Sequence, residues 1–190
     1  ILDGMPAGLR ISRAEIDAQL ARRQKGYGRG GRMKIETDHV EVLSGLRFGE
    51  TLGAPITLQV VNRDFANWTE RMNPFGAPTG EPVTAVRPGH ADLTGVLKYD
   101  RHDARDILER SSARETTMRV AVGAICRQLL AAVGVTIVSH VTEIGGMRID
   151  RAAVRDADIG VTNSDDLNVC DSVAAEQMKA RIDEAKAAGD

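Results

Sequence analysis

The stretch Arg110-Ser111-Ser112-Ala113-Arg114-Glu115-Thr116 opens a run of periodic apolar residues that ends at Gly134. Ser112 followed three residues later by Glu115 fits a capping box, and Gly134 stands where a left-handed residue is favoured after a helix. Apolar residues recur between them at steps of three and four, as one buried helical face requires: Met118, Val122, Ile125, Leu129 and Val133. The pattern predicts a helix that starts at Ser112 and ends before Gly134.

Helix formation does not explain why two arginines flank two serines at the start of this helix. The first turn of a helix carries unpaired backbone N–H groups and the positive end of the macrodipole. We therefore expect a phosphate or an anionic cofactor to bind there, with contacts from Arg110, Ser111, Ser112 and Arg114. The alternative is an ordinary cap with solvated arginines, because ion-pair networks also gather charge without function.

A second basic cluster lies in the glycine-rich run RRQKGYGRGGR at residues 22–32. The run follows a predicted helix that starts at Ser12 with Glu15 as its capping partner. Its glycines permit tight turns, and its arginines offer planar, bidentate donors for carboxylate or phosphate groups. Two alternatives are a flexible surface loop and an Arg-Gly segment that stacks on single-stranded RNA. The net charge of −2 and the single aromatic residue in the run argue against a nucleic-acid partner.

The turn Arg87-Pro88-Gly89-His90-Ala91-Asp92 is the third candidate element of a site. Proline and glycine interrupt regular structure just before His90, which predicts a constrained turn that aims the imidazole ring. Imidazole titrates near neutrality, so His90 is a candidate to hydrogen-bond or transfer a proton to a developing charge. The alternative is a solvated loop histidine without a functional role. The other three histidines are interpreted as structural or solvated: His39, His102 and His140.

Composition limits the class of protein without deciding it. A chain of 190 residues with 42% apolar residues can bury a core, and it predicts one domain. Cys126 and Cys170 show neither metal-ligand spacing nor a disulfide framework, which favours a reduced, cytoplasmic setting. No apolar run is long enough to span a bilayer, so we expect no membrane contact. The lack of metal-ligand spacing also predicts no metal site.

Helix and strand signals alternate along the chain. Val40 and Val42, and then Ile56, Leu58 and Val60, alternate as strands with one buried face. Prolines and glycines between residues 67 and 87 predict a long loop, and residues 135–144 predict a further strand. Residues 155–171 are expected to connect to a last helix capped by Asp171 or Ser172. These signals indicate an α+β fold with helices packed on antiparallel sheets.

Four motifs in this order and spacing resemble chorismate synthase: RRQKGYGRGGRMKIE at residues 22–36, RPGHAD at 87–92, Lys98-Tyr99, and ERSSARET at 109–116. The resemblance continues through LSG at residues 43–45, TLGAPI at 51–56 and SHV at 139–141, so it covers nearly the whole chain. It implies a sandwich of helices between antiparallel sheets.

The resemblance implies an enzyme that removes phosphate and a ring hydrogen from 5-enolpyruvylshikimate-3-phosphate to give chorismate, a step of aromatic amino acid biosynthesis. It implies reduced FMN as the cofactor, NADPH as a candidate reductant, and a homotetramer for the complete enzyme. Substrate-binding positions of the family match Arg23, Arg29, Arg87 and Arg114. His90 matches a histidine beside the flavin, and the FMN-contacting segment matches Arg110, Ser111 and Ser112.

The chain also departs from the family pattern. Family members begin with a Gly-Glu-Ser-His-Gly motif, which is absent before Ile1, and they continue through a second half after the position of Asp190. We therefore expect residues 1–190 to be a single N-terminal-half fragment of a chorismate synthase-like domain. Because a preorganised site loses nearly all its rate enhancement when several members are removed, the fragment alone is expected to be inactive. A non-catalytic assembly fragment is the other alternative.

Overall fold

The computed structural model describes residues 1–28, 38–108, 110–112, 114–152, 154–155, 159 and 166–189. The predicted site residue Arg29 lies outside these residues, as does most of the predicted connection before the last helix. The helices are α1 Arg13–Gln24, α2 Asp92–Tyr99, α3 Arg105–Leu108, α4 Glu115–Ala132 and α5 Ser172–Ala188. The strands are β1 Glu41–Ser44, β2 Leu46–Arg47, β3 Glu50–Thr51, β4 Thr57–Gln59, β5 Glu143–Ile144 and β6 Met147–Arg148.

Helices α1 and α4 pack against each other to form the first hydrophobic core. Ile16 and Leu20 of α1 are fully buried, and α4 contributes Ala121, Ala124 and Ile125. The two alanines are small, so the helix axes can approach closely while the larger side chains of α1 fill the space between them. This helix pair supports the site described below, because it fixes the end of α1 beside the start of α4.

The start of α1 confirms the predicted cap. The Ser12 hydroxyl accepts a hydrogen bond from the Glu15 backbone N–H at 3.3 Å, and the helix begins at Arg13. The backbone N–H of Ser12 donates to Gln128 Oε1 of α4 at 2.7 Å. This half-buried amide oxygen takes the contact that a capping box assigns to the Glu15 side chain, and it ties α1 to α4.

Short antiparallel sheets accompany the helices, as the predicted α+β fold requires. Strand β1 pairs with β4 with Val42 opposite Leu58, and β2 pairs with β3. The side chains of Val40 and Ile56 are fully buried, and that of Leu58 is nearly so. Val42 is exposed, so its predicted place on the buried face is wrong: a register irregularity before Ser44 interrupts the alternation of β1.

A second hydrophobic core forms around α5. Ala174, Ala175 and Met178 of this helix pack with Ile149 and Val169, next to the antiparallel pair of β5 and β6. Asp171 caps α5, because its carboxylate accepts hydrogen bonds from the backbone N–H groups of residues 173 and 174. Of the two predicted caps for the last helix, the structure therefore selects Asp171.

Helix α4 begins later than predicted, and the capping box of Ser112 and Glu115 is wrong. The Ser112 hydroxyl accepts from the Arg114 backbone N–H two residues ahead at 3.1 Å, which forms a local turn that competes with a helix cap. Arg114 is the residue before the first helical residue, Glu115. The C-terminal prediction is confirmed, since Gly134 has a left-handed φ of +79°.

The predicted apolar face of α4 is confirmed except at its last residue. Ile125 is fully buried, and three of the other predicted residues pack partly buried against the first core: Met118, Val122 and Leu129. Val133 is 69% exposed. It follows the last helical residue, Ala132, so it no longer shares the face that the helical period assigns to it.

The predicted strand at residues 135–144 is mostly wrong, because only Glu143 and Ile144 are paired. Ile137 and Val138 are exposed, and the described part of the chain places no neighbouring strand beside them. Their apolar sequence has strand character, yet a strand forms only where a neighbour completes its hydrogen-bond ladder. After a 3-10 helix at Arg63–Asn67, residues 68–91 contain neither helix nor strand.

Candidate functional site

The α4 entry segment, Arg110, Ser111, Ser112 and Arg114, lies between α3 and α4. The Ser111 backbone N–H donates to the Ile107 carbonyl at 3.1 Å, so the segment leaves α3 directly. Ser111 and Ser112 are half-buried, and Arg110 is exposed. A serine hydroxyl that accepts one hydrogen bond can still donate its own hydrogen. The segment therefore offers hydroxyl and guanidinium donors at the positive end of α4.

The electrostatics of this helix start are visible at Glu115. The hydrogen bond from Arg119 lowers the pKa of the Glu115 carboxyl, and the charge of Arg110 lowers it further. Arg110, five residues before the first helical residue, thus adds to the stabilisation of one nearby anion. The same field favours an anionic ligand.

Arg23 and Arg114 meet at one buried carboxylate, and we name Arg23, Asp38 and Arg114 the Asp38 cluster. Arg23 Nη1 lies 3.3 Å from Asp38 Oδ2, and Arg114 Nη1 contacts Asp38 Oδ1. Asp38 is 4% exposed. Arg23 also donates to the Thr116 hydroxyl at 3.2 Å, and Arg114 donates to the Val61 carbonyl at 2.8 Å. Two guanidinium groups from distant parts of the chain thus share one buried carboxylate.

Arg87 and His90 meet at a second buried carboxylate, and we name Arg87, His90 and Asp92 the Asp92 cluster. Arg87 holds the Asp92 carboxylate with two hydrogen bonds, Nε to Oδ2 at 2.7 Å and Nη2 to Oδ1 at 3.0 Å. Asp92 is completely buried. The hydrogen bond from the Arg87 side chain is the main reason that the pKa of Asp92 lies well below its usual range, against the effect of burial.

The Asp92 carboxylate also orients the imidazole of His90. His90 Nδ1 lies 2.7 Å from Asp92 Oδ1 and 3.3 Å from Arg87 Nη2. A carboxylate only accepts and a guanidinium only donates, so the shorter contact assigns the Nδ1 proton to the bond with Asp92. Nε2 is then the ring nitrogen that remains for a ligand. Gly89, with a φ of +66°, forms the turn that sequence analysis predicted before this residue.

Helix α3 connects the Asp92 cluster, at the start of α2, to the α4 entry segment. Asp92 begins α2, which packs on α3, and α3 leads into the α4 entry segment. A Cβ added at Gly95 of α2 would lie 2.3 Å from Ile107 Cγ2 of α3, so this close helix packing requires glycine. The structure thus joins Arg23 with Arg114 in one cluster and Arg87 with His90 in another.

Sequence reasoning assigned no role to the two carboxylates that organise these clusters. Asp92 was part of the quoted turn motif, and its position two residues after His90 was the available signal. Asp38 follows the basic run, where a carboxylate after several arginines suggests an ion pair. Thr116 belonged to the quoted α4 stretch, but nothing in the spacing indicated its contact with Arg23. The other histidines lie elsewhere: His39 Nδ1 lies 3.3 Å from Asp17, and His140 Nδ1 lies 3.3 Å from the Cys170 sulfur.

Comparisons with known proteins agree with one another. The sequence model described as chorismate synthase matches residues 1–190. All of this chain aligns at 52% identity with chorismate synthase of Geobacter sulfurreducens, covering 49% of that protein, and at 49% identity with chorismate synthase 1 of Bacillus thuringiensis, covering 51%. A crystal structure of chorismate synthase superposes with a TM-score of 0.73 and 35% identity over 98% of this chain and 48% of the other.

The fold and the two clusters define an α+β domain whose arginines converge on buried carboxylates beside a helix N-terminus. With a match that extends from the first residue to the last, the chain belongs to the chorismate synthase family. The family resemblance and the α+β fold class predicted from the sequence are both confirmed. The chain spans about half the length of the curated relatives it matches. None of the helices in the described ranges is long and apolar enough to cross a membrane.

Proposed function

We propose that the complete protein, of which this chain forms about half, is a chorismate synthase. It eliminates phosphate from 5-enolpyruvylshikimate-3-phosphate to give chorismate and depends on reduced FMN. Family membership along the whole chain supports the reaction class. The proposal includes NADPH as the reductant of the flavin, a homotetrameric assembly and a cytoplasmic location, all of which follow from the family resemblance.

The Asp38 cluster is the single observation that carries this proposal. The substrate bears phosphate and carboxylate groups and must lie close to a reduced, anionic flavin, and like charges at contact distance repel strongly where water is excluded. Guanidinium groups already fixed in position can offset this repulsion without reorganisation during the reaction. Arg23 and Arg114 supply these groups in the Asp38 cluster.

We assign substrate binding to four arginines: Arg23, Arg29, Arg87 and Arg114. In the Asp92 cluster, the Arg87 side chain is half exposed although Asp92 is completely buried, so this arginine lies at the surface, where an anion can approach it. His90 is the proposed catalytic residue. Asp92 holds Nδ1, and Nε2 donates a hydrogen bond to developing negative charge when the ring carries two protons.

The donor set of the α4 entry segment fits an anionic flavin. Arg110, Ser111 and Ser112 would hold the cofactor through guanidinium and hydroxyl donors at the positive end of the helix. When bound, reduced FMN supplies the electron density that helps phosphate depart. The protein contributes the cationic surroundings, the orientation of the substrate and the exclusion of water.

The assay is chorismate formation from 5-enolpyruvylshikimate-3-phosphate by the complete protein, with FMN in reduced or oxidised form. We expect product only with reduced FMN. His90→Ala should lower turnover about 100-fold, because it removes a donor to the reacting centre. His102→Ala is the control, since His102 is an exposed histidine ten residues from the Asp92 carboxylate along the chain.

Two results would refute parts of this proposal. A complete protein that forms no chorismate with reduced FMN refutes the proposed function. An active protein whose His90→Ala variant retains nearly normal turnover refutes only the role of His90.

A further inference from the structure

The end of α1 and the residues after it connect the two hydrophobic cores. The Tyr27 hydroxyl donates to Asp183 Oδ2 of α5 at 2.6 Å, and the Tyr27 backbone N–H donates to the Asp166 carbonyl at 3.3 Å. The Lys179 ammonium group lies 5.8 Å from the centroid of the tyrosine ring. Helix α5 thus holds this residue through its hydroxyl and its ring, and a neighbouring segment holds its backbone.

A second contact connects the same two regions. Arg22 Nη2 donates to Asn168 Oδ1 at 2.9 Å. Asn168 adopts a left-handed conformation with a φ of +60°, and its side-chain amide donates to the Ser139 carbonyl. An asparagine held in this conformation by bonds on both sides is a fixed acceptor rather than a mobile one. Residues 22–28 are therefore anchored at both ends, with Arg23 of the Asp38 cluster between the anchors.

Two glycines flank Tyr27 and explain why an anchor is needed. Gly26 and Gly28 have φ values of 150° and +74°. Glycine has more backbone freedom to lose than other residues, so this segment costs more entropy to order. A hydrogen bond from a neutral hydroxyl to a carboxylate is among the stronger kinds in proteins. One such bond at Tyr27 supplies the restraint that the glycines lack.

We propose that Tyr27 is a positioning residue: its hydrogen bond to Asp183 holds residues 22–28 against α5 and so keeps Arg23 preorganised beside Asp38 and Arg114. The inference rests on the proposed function of the Asp38 cluster as a substrate-binding site. A preorganised cation binds its anion more tightly because less freedom is lost on binding. Tyr27 therefore affects substrate affinity, and the chemical step is independent of it.

The electrostatics of the pair agree with this geometry. The hydrogen bond to Asp183 is the main cause of the raised pKa of the Tyr27 hydroxyl. The phenol therefore keeps its proton and remains the donor throughout the neutral range.

The test compares Tyr27→Phe, Asp183→Ala and the double variant in the complete protein by steady-state kinetics and by calorimetric titration with 5-enolpyruvylshikimate-3-phosphate. Each single variant should raise KM and Kd about threefold, the loss expected for one solvent-exposed hydrogen bond to a charged group, while kcat stays unchanged within error. The double variant should be no weaker than either single one, because both remove the same bond. Tyr99→Phe is the matched control, since Tyr99 is a half-exposed tyrosine on α2.

Each outcome decides for or against the inference. Unchanged KM and Kd in Tyr27→Phe overturn it while chorismate formation by the parent protein leaves the proposed function intact. A fall in kcat as large as the fall in kcat/KM also overturns it, because Tyr27 would then act in the chemical step. A parent protein that binds the substrate without turning it over refutes the proposed function, and the calorimetric comparison still tests the anchor. A parent that does not bind the substrate refutes both.

Discussion

At the scale of single residues, the buried carboxylate of Asp92 holds the other two members of its cluster in position. It accepts two hydrogen bonds from the Arg87 side chain and one from His90. A buried charge is tolerated only when it is paired and hydrogen-bonded, and this one is. The ion pair therefore stabilises the turn and at the same time orients the imidazole ring.

Asp92→Asn should lower the free energy of unfolding of the complete protein by about 2 kcal/mol at pH 7, since it leaves Arg87 without its charged partner. The folded-state pKa of Asp92 is depressed, so its contribution is fully present above the unfolded pKa of about 3.9 and is lost as pH falls through the lower folded value. The difference in unfolding free energy between the two proteins should therefore begin to shrink below about pH 4 and should keep shrinking below about pH 2.

Urea unfolding at a series of pH values measures this gap. Asp3→Asn, at an exposed position, should track the parent protein across the range. A gap between Asp92→Asn and the parent that stays constant down to pH 2 contradicts the assigned ion pair.

The sequence predicted the types of residue at the site better than their partners. The turn motif identified Arg87 and His90 because proline and glycine mark turns through local backbone restrictions. The partners Asp38 and Asp92 were missed as organisers, because which carboxylate an arginine contacts depends on tertiary packing. The roles of the arginines in binding substrate stay predictions until they are measured.

At the scale of secondary-structure elements, helix starts show where local signals are sufficient. Ser12 and Asp171 cap α1 and α5 as predicted, because a cap needs only a side-chain oxygen and the N–H groups two or three residues ahead. Ser112 has the same chemistry but forms a turn with Arg114, whose guanidinium is held at Asp38. A tertiary ion pair competes here with the local preference, and no sequence pattern reports it.

Asp171→Ala should destabilise the protein by about 1 kcal/mol, because it removes two hydrogen bonds to unpaired N–H groups of α5. Ser172→Ala should change stability by less than about 0.5 kcal/mol, since Ser172 is the first residue inside the helix. Urea unfolding of the two variants at neutral pH makes the comparison. Equal losses in both would show that the assigned cap is wrong.

At the scale of the whole molecule, two hydrophobic cores are joined by polar contacts that pass through the basic segment. The first core contains α1 and α4, the second contains α5, and residues 22–28 contact both. Helical periodicity predicted the face of α4 that enters the first core, since burial of one helical face is a local pattern. The packing of the cores on each other was not predictable, because it depends on single hydrogen bonds between distant residues.

Arg23 and Arg114 form a single proposed anion-binding unit, although they lie at the ends of different helices. Arg23 lies in the last turn of α1 and Arg114 directly precedes α4, and the packing of α1 on α4 brings them to the same carboxylate. If this unit binds the substrate, removal of either guanidinium should weaken binding, although the two residues lie far apart in sequence. Arg119 offers a matched control, because it lies on α4, is exposed and pairs only locally with Glu115.

The most direct measurement is the calorimetric affinity of the complete protein for 5-enolpyruvylshikimate-3-phosphate in the variants Arg23→Ala, Arg114→Ala and Arg119→Ala, with circular dichroism to confirm folding. We expect Arg23→Ala and Arg114→Ala to bind the substrate at least about 10-fold more weakly than the parent, the loss expected for one hydrogen bond to a charged group. Arg119→Ala should bind it within about twofold of the parent. Folded Arg23→Ala and Arg114→Ala proteins that bind the substrate as tightly as the parent would contradict substrate binding by the Asp38 cluster.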